Sequence, residues 1–198
     1  IRDRSVSRGL GDVYKRQREG YRSPVHPEWV KWAVETLKCP VIANGNIVDT
    51  QTAEAWVRLA APAGLMAGRT ALRNPWIFSQ LRAHFRGEAA TAPTFRDLLR
   101  YIRSLYKHTL EMQDHYVEEK HIHRMKKYLV YTARGLPEEF DHHMKRAKTS
   151  RDFMHICEEI LDNDTPFPST PPEDTHLFAH FNALLTQEKA CLPAGIQL

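Results

Sequence analysis

Two runs in this chain end in a way that suits anion chemistry: Pro40-Val41-Ile42-Ala43-Asn44-Gly45-Asn46 and Gly64-Leu65-Met66-Ala67-Gly68-Arg69. Each is a short apolar segment that stops at a glycine-bearing turn. Such a turn leaves backbone N–H groups free of side-chain obstruction, which suits an incoming phosphate. The competing reading is that these glycines only make turns. A second set of residues suits a polyanion. Lys120, Arg124, Lys127, Tyr131 and Arg134, with His123 beside them, fall near one face of a helix at about 100° per residue. Ile122, Met125, Leu129, Ala133 and Leu136 fall on the opposite face, and no acidic residue occurs from Lys120 to Pro137. Cations at this spacing neutralise a phosphate backbone, and a tyrosine among them can stack an unpaired base. A solvated face is the alternative, although solvated faces usually mix signs to form i,i+4 pairs.

Other reactive residue types form no constellation. His121 and His123 point to different faces of one helix, and His142, His143, His176 and His180 lack companion ligands at a metal-binding spacing. No Ser-His-Asp or Cys-His arrangement, phosphate-binding P-loop or dinucleotide-binding glycine fingerprint is present. Cys39, Cys157 and Cys191 are scattered without CxxC spacing, which argues against a disulfide framework or a zinc site and suits a reducing, cytoplasmic compartment. Cys39 precedes Pro40 at a strand start and reads as a core or edge residue rather than a nucleophile. No metal is expected.

The elements that must position these residues follow from pattern and punctuation. Two strand ends separated by about one helix of sequence read as a β-α-β unit, with the helix from about Thr50 to Ala60. A helix with proline near its N-terminus precedes it from Pro27, and another starts near Asn74-Pro75-Trp76. Residues 87–94 are small and proline-punctuated and read as a linker. The chain then turns helical. Leu98, Leu99, Ile102, Leu105, Tyr106 and Leu110 recur at a helical period within a helix from Phe95. A second helix runs from Glu118 to Arg134 and stops at Gly135-Leu136-Pro137. A third starts at a Thr149/Ser150 cap. Residues 162–174 read as a proline-rich linker with little to fix it, followed by an amphipathic tail helix carrying Leu177, Phe178, Phe181, Leu184 and Leu185. No apolar run is long enough to cross a bilayer, so no membrane association is expected.

Residues 1–17 are set apart, because Ser7 to Gln17 looks like a translated sequencing-library adapter. They carry a net charge of +3 out of the +4 of the whole 198-residue chain. The alkaline pI of about 9.0 is therefore no argument for a nucleic-acid partner, and that case rests on local patterning.

Pro40 to Ile47, Gly64 to Leu72 and Asn74-Pro75-Trp76-Ile77-Phe78 together resemble the C-terminal barrel section of the tRNA-dihydrouridine synthases. Arg124-Met125-Lys126-Lys127-Tyr128-Leu129 with Arg134-Gly135-Leu136-Pro137 resembles the family's helical domain, and Arg18-Glu19-Gly20-Tyr21 the stretch after its flavin loop. The resemblance runs from Arg18 to about Leu161. It implies the last two strands of a (β/α)8 TIM barrel over 18–86, a linker over 87–94, a helical-bundle tRNA-binding domain over 95–161, and a tail over 162–198. It also implies FMN as cofactor, with Asn44, Gly45 and Asn46 at the end of strand seven and Gly68 and Arg69 after strand eight holding its phosphate and ribityl region. NADPH would reduce FMN, which would reduce a flipped-out tRNA uracil to dihydrouracil, with a cysteine as the proton donor. That cysteine and the family's lysine and histidine belong to positions upstream of Arg18, so no catalytic residue is assigned here, the chain reads as an inactive fragment, and the full-length enzyme is expected to be a monomer. Asn46 stands where aspartate is usual, and Thr70 and Ala61-Pro62-Ala63 also depart from the family pattern. Two other readings stay open: a different FMN-dependent barrel oxidoreductase, or a stand-alone RNA-binding module made of residues 95–161.

Overall fold

The computed structural model describes residues 24–112, 115–173 and 177–191, so the adapter-like segment and the Arg18–Tyr21 stretch lie outside the described residues. The chain divides into two compact units, Ile1–Gly68 with Glu173–Leu198, and Arg69–Pro172.

The first unit is built on a β-α-β core. β1 (Ile42–Asn44) and β2 (Gly64–Met66) pair in parallel, with Ile42 opposite Gly64 and Asn44 opposite Met66. Parallel neighbours need a crossover, and α2 (Thr50–Ala60) supplies it. Its start is fixed by a capping box: the Asp49 carboxylate accepts from the Thr52 N–H at 2.9 Å while the Thr52 hydroxyl serves the Asp49 N–H. The helix ends at Ala61 in the left-handed conformation, φ 46°. Ala53, Ala55, Trp56 and Ala60 are buried on its inner side. α1 (Pro27–Thr36) packs beside α2. The spacing of the two strand ends is thus realised as the expected β-α-β unit, compatible with a section of a (β/α)8 barrel.

α9 (Phe181–Cys191) packs against α2 in the same unit. The tail helix is shorter at its start than the sequence suggests: Leu177 and Phe178 precede it, and Phe178 is buried ahead of it together with Phe181 and Leu184. These large apolar side chains bury themselves whether or not the backbone carrying them is helical.

The second unit is helical: α3 (Arg69–Arg73), α4 (Ile77–Phe85), α5 (Phe95–Glu111), α6 (Glu118–Thr132), α7 (Glu138–Arg146) and α8 (Ser150–Leu161). Thr94 forms a capping box with Asp97 at the start of α5, and Thr149 caps α8 by accepting from the Asp152 N–H at 3.1 Å. One core joins Leu98, Leu99 and Ile102 of α5, Ile122, Met125 and Leu129 of α6, Phe140 and Met144 of α7, and Phe153, Cys157 and Leu161 of α8. The apolar face read on the second helix is therefore the buried one. α7 is an element the sequence pattern did not single out. It is short, with Glu138, Glu139 and Asp141 in its first turn and His143, Lys145 and Arg146 in its last, an order that favours the helix dipole.

Residues 163–167, expected to have little to fix them, are held by backbone hydrogen bonds. The Phe95 N–H donates to the Thr165 carbonyl at 2.9 Å and the Phe167 N–H to the Pro93 carbonyl at 2.8 Å, so the segment runs antiparallel to the lead-in of α5. Phe167 joins the core. Its carbonyls find a donor in Arg73. The guanidinium donates from Nη2 to the Pro168 carbonyl at 2.6 Å and from Nη1 to the Ser169 carbonyl at 2.9 Å, while Nε donates to the Arg134 carbonyl at 2.9 Å. It also lies 4.9 Å from the centre of the Phe167 ring. Prolines supply no N–H of their own, so carbonyls in such a segment need donors from elsewhere.

Candidate functional site

The turn after β1 is held from three directions. Gly45 adopts φ +119°, and a Cβ there would come within 2.7 Å of Val25 Cγ1, so glycine is demanded by conformation and by close packing. Its carbonyl accepts from Trp56 Nε1 at 2.7 Å, which ties the turn to α2. Asn46, at φ 52° and 5 % exposed, follows in the left-handed region that asparagine tolerates best among non-glycine residues. Its carboxamide nitrogen donates to the His180 carbonyl at 3.1 Å and to the Ala179 carbonyl at 3.4 Å. Residues 179–180 thus sit at the end of β1, against Asn46. An amide can donate to these carbonyls where a carboxylate would oppose them. Asn44, the last residue of β1, is exposed. Gly68 differs from Gly45: a Cβ added there would meet nothing within 4 Å, so its backbone is open to approach. Arg69 begins α3 in the second unit.

On α6 the sequence-derived stripe divides. Lys120, Arg124 and Lys127 are exposed, and none of them lies within ion-pair distance of a carboxylate among the described residues. Tyr131 and Arg134 are half-buried. The division has a cause. α3 packs against α6, and Thr132 Oγ1 donates to the Leu72 carbonyl at 3.2 Å, covering the C-terminal turn of the helix. Arg134 Nε is buried without a hydrogen-bond partner among the described residues. Three freely hydrated cations therefore form the outer face, with Tyr131 and Arg134 at its sheltered end.

Two residues that matter here carried no local sequence signal. Arg73 is fully buried and burial lowers its pKa to about 10. It braces the end of α6 through the Arg134 carbonyl. Lys126, one position from the stripe, spends its ammonium on backbone: Nζ donates to the Lys145 carbonyl at 2.8 Å and to the Ala147 carbonyl. The only sequence hint for Arg73 is a carbonyl-rich, donor-poor proline segment far along the chain.

Of the remaining reactive residues, Cys157 and His121 are buried in the helical unit. Cys39 is exposed, and Cys157 is buried, its thiol pushed up to about 12 chiefly by burial. A thiol so disfavoured as thiolate is a poor nucleophile. His121 is buried against the Tyr106 ring, with centroids 4.4 Å apart, and its Nε2 lies 2.9 Å from Thr109 Oγ1. Among the described residues no group of three or more His, Cys, Asp or Glu side chains is placed to hold a metal, and no helix is long and apolar enough to cross a membrane.

Comparison with known proteins agrees with this architecture. The dihydrouridine synthase family model matches residues 14–164. A probable tRNA-dihydrouridine synthase of Mycobacterium leprae is 30 % identical over 142 residues, covering 70 % of this chain and 35 % of that protein. The corresponding Mycobacterium tuberculosis protein is 30 % identical over 144 residues, covering 71 % of this chain and 36 % of that protein. The tRNA-dihydrouridine(16) synthase of Cupriavidus necator is 27 % identical over 170 residues, covering 81 % of this chain and 48 % of that protein. The chain thus spans about a third to a half of the length of these relatives. The extent of the family match, which takes in the β-α-β unit, the cationic helix and the core that supports it, places the chain in the dihydrouridine synthase family.

Proposed function

We propose that this chain is the C-terminal part of a tRNA-dihydrouridine synthase, contributing part of an FMN-binding barrel and the helical unit that holds tRNA. The observation that carries the tRNA assignment is the outer face of α6. Lys120, Arg124 and Lys127 stand exposed, with no carboxylate within ion-pair distance among the described residues, on a helix whose opposite face is locked into the core. Fixed cations of this kind take the place of condensed counterions on a nucleic-acid backbone. Tyr131 and Arg134 complete the contact at the sheltered end, with a ring for stacking and a guanidinium.

In the first unit the residues fit a phosphate. Gly68 offers open backbone, and Asn44, Gly45 and Asn46 form a turn whose shape is enforced by Val25 and Trp56. These residues would hold the phosphate end of FMN through N–H groups. FMN, when bound, supplies hydride transfer from NADPH to the uracil ring. The chain's own work in this reading is binding: fixing the cofactor's anionic end and the RNA backbone. The proton donor and the remaining strands belong to the whole protein.

The test is affinity of the 198-residue chain for an unmodified tRNA transcript over a salt series. Arg124→Glu with Lys127→Glu is expected to weaken binding at least tenfold and flatten the dependence of log Kd on log salt by about 2, two phosphate contacts having been lost. Unchanged affinity and slope would favour a different FMN-dependent barrel oxidoreductase.

A further inference from the structure

A second cationic surface lies in the helical unit, on the connection between α7 and α8. Lys145-Arg146-Ala147-Lys148-Thr149-Ser150-Arg151 holds four cations and no acid. A connection so charged would repel itself and swing free in solution unless held. Here it is held to α6 at two levels. Lys126 Nζ donates to the Lys145 carbonyl at 2.8 Å and to the Ala147 carbonyl, and the Ser150 N–H donates to Glu118 Oε1 at 2.7 Å. Positions 118 and 126 lie about two turns apart on the helix. Between the two ties, Ala147 is buried. The Tyr106 hydroxyl adds a third tie by donating to Ser150 Oγ at 2.7 Å. The peptide is therefore fixed along the flank of α6.

The charges divide by their surroundings. Lys145 is paired with Asp141, whereas Arg146, Lys148 and Arg151 are exposed and have no carboxylate partner among the described residues. In the first turn of α8 the Ser150 N–H is served by Glu118 and the Asp152 N–H by the Thr149 cap, so the positive charge offered here is mainly that of side chains. At about 100° per residue, Lys126 sits on the flank of α6 between the buried face and the stripe of Lys120, Arg124 and Lys127. The connection is thus a shoulder on the flank next to that stripe.

We infer that Arg146, Lys148 and Arg151 form a second phosphate-contacting surface for RNA, and that Lys126 is a positioning residue that holds it in place rather than a contact. The inference rests on the tRNA-binding reading of α6 and extends the footprint from one helix face to two adjoining ones. Such a footprint can engage backbone phosphates on either side of a curved or folded RNA, which a single helical stripe cannot.

The experiment uses the 198-residue chain and an unmodified tRNA transcript, with Kd measured across a salt series and helicity checked by circular dichroism. Lys148→Glu with Arg151→Glu is expected to weaken binding at least tenfold and flatten the salt slope by about 2. Lys148→Gln with Arg151→Gln, which changes charge without adding repulsion, is expected to flatten the slope similarly with a smaller loss of affinity. Lys126→Met should weaken binding, and Lys126→Arg should restore it, because a guanidinium can serve the same two carbonyls. If both double variants bind as the parent does while Arg124→Glu with Lys127→Glu weakens binding, the second surface is refuted and the α6 reading stands. If none of these variants changes affinity or slope, both are refuted.

Discussion

Arg73 shows how one side chain can organise a unit with no charged partner among the described residues. Its guanidinium is surrounded by carbonyls, those of Arg134, Pro168, Ser169 and, at 3.5 Å, Thr170, and by the face of Phe167. Burial pulls its pKa to about 10, well above neutrality, so it remains a cation in the folded protein. The carbonyl at the end of α6 is a favourable counterpart, since partial negative charge gathers at helix C-termini. Arg73→Met would leave several buried carbonyls without donors and is expected to cost about 2–4 kcal/mol, read as a lowered urea midpoint. A variant with unchanged midpoint would show that the carbonyls find water instead. Arg73→Lys should recover only part of the loss, because an ammonium cannot reproduce the planar fork.

Among the elements, the α5–α6 contact contains a pH-sensitive group. Thr109 Oγ1 bonds to the Leu105 carbonyl at 2.8 Å and lies 2.9 Å from His121 Nε2, an arrangement met when Nε2 carries the proton and donates. His121 Nδ1 is then a buried acceptor with no hydrogen-bond partner among the described residues. Burial, and secondarily the nearby Arg124 charge, hold the His121 pKa below its ordinary 6.5. The groups facing it are Tyr106 on α5, Tyr116 before α6, and Thr109. The neutral form is favoured by folding, so the unfolded chain binds the extra proton first. Stability is then complete above about pH 6.5 and declines as pH falls towards the folded-state value. Thermal melts from pH 7.5 to 5 should show this decline, and His121→Gln should flatten it. An equally steep decline in the variant would assign the effect to other groups.

For the molecule as a whole, the division into units bears on how the helical part can be isolated. Its core is formed by residues between Phe95 and Phe167, but Arg73 and the cover that α3 gives α6 lie before Phe95. Residues 69–172 are therefore expected to melt cooperatively as a separate polypeptide. Residues 95–161, the domain span expected at the level of sequence, lack Arg73, Phe167 and the strap at 168–170, and are expected to melt at least 10 °C lower, since a few kcal/mol displaces the midpoint by that much in a domain of this size. Equal melting temperatures would mean that the strap and Arg73 contribute nothing to the helical core.

Local patterning determined much of this molecule. The capping pairs Asp49/Thr52 and Thr94/Asp97 and the helical period of α5 and α6 are set by residues within one or two turns of each other, which is the range over which periodicity and capping act, and the cationic stripe follows from that period. What the tertiary structure decided are contacts between residues far apart in the chain. Asn46 meets Ala179 and His180, Arg73 meets residues 134 and 168–170, and Lys126 meets the end of α7. Each satisfies backbone carbonyls that no nearby N–H serves. The demand for a donor is legible in a proline-rich segment or at a helix end, but which distant side chain meets it depends on how the helices pack, and packing has no local signature.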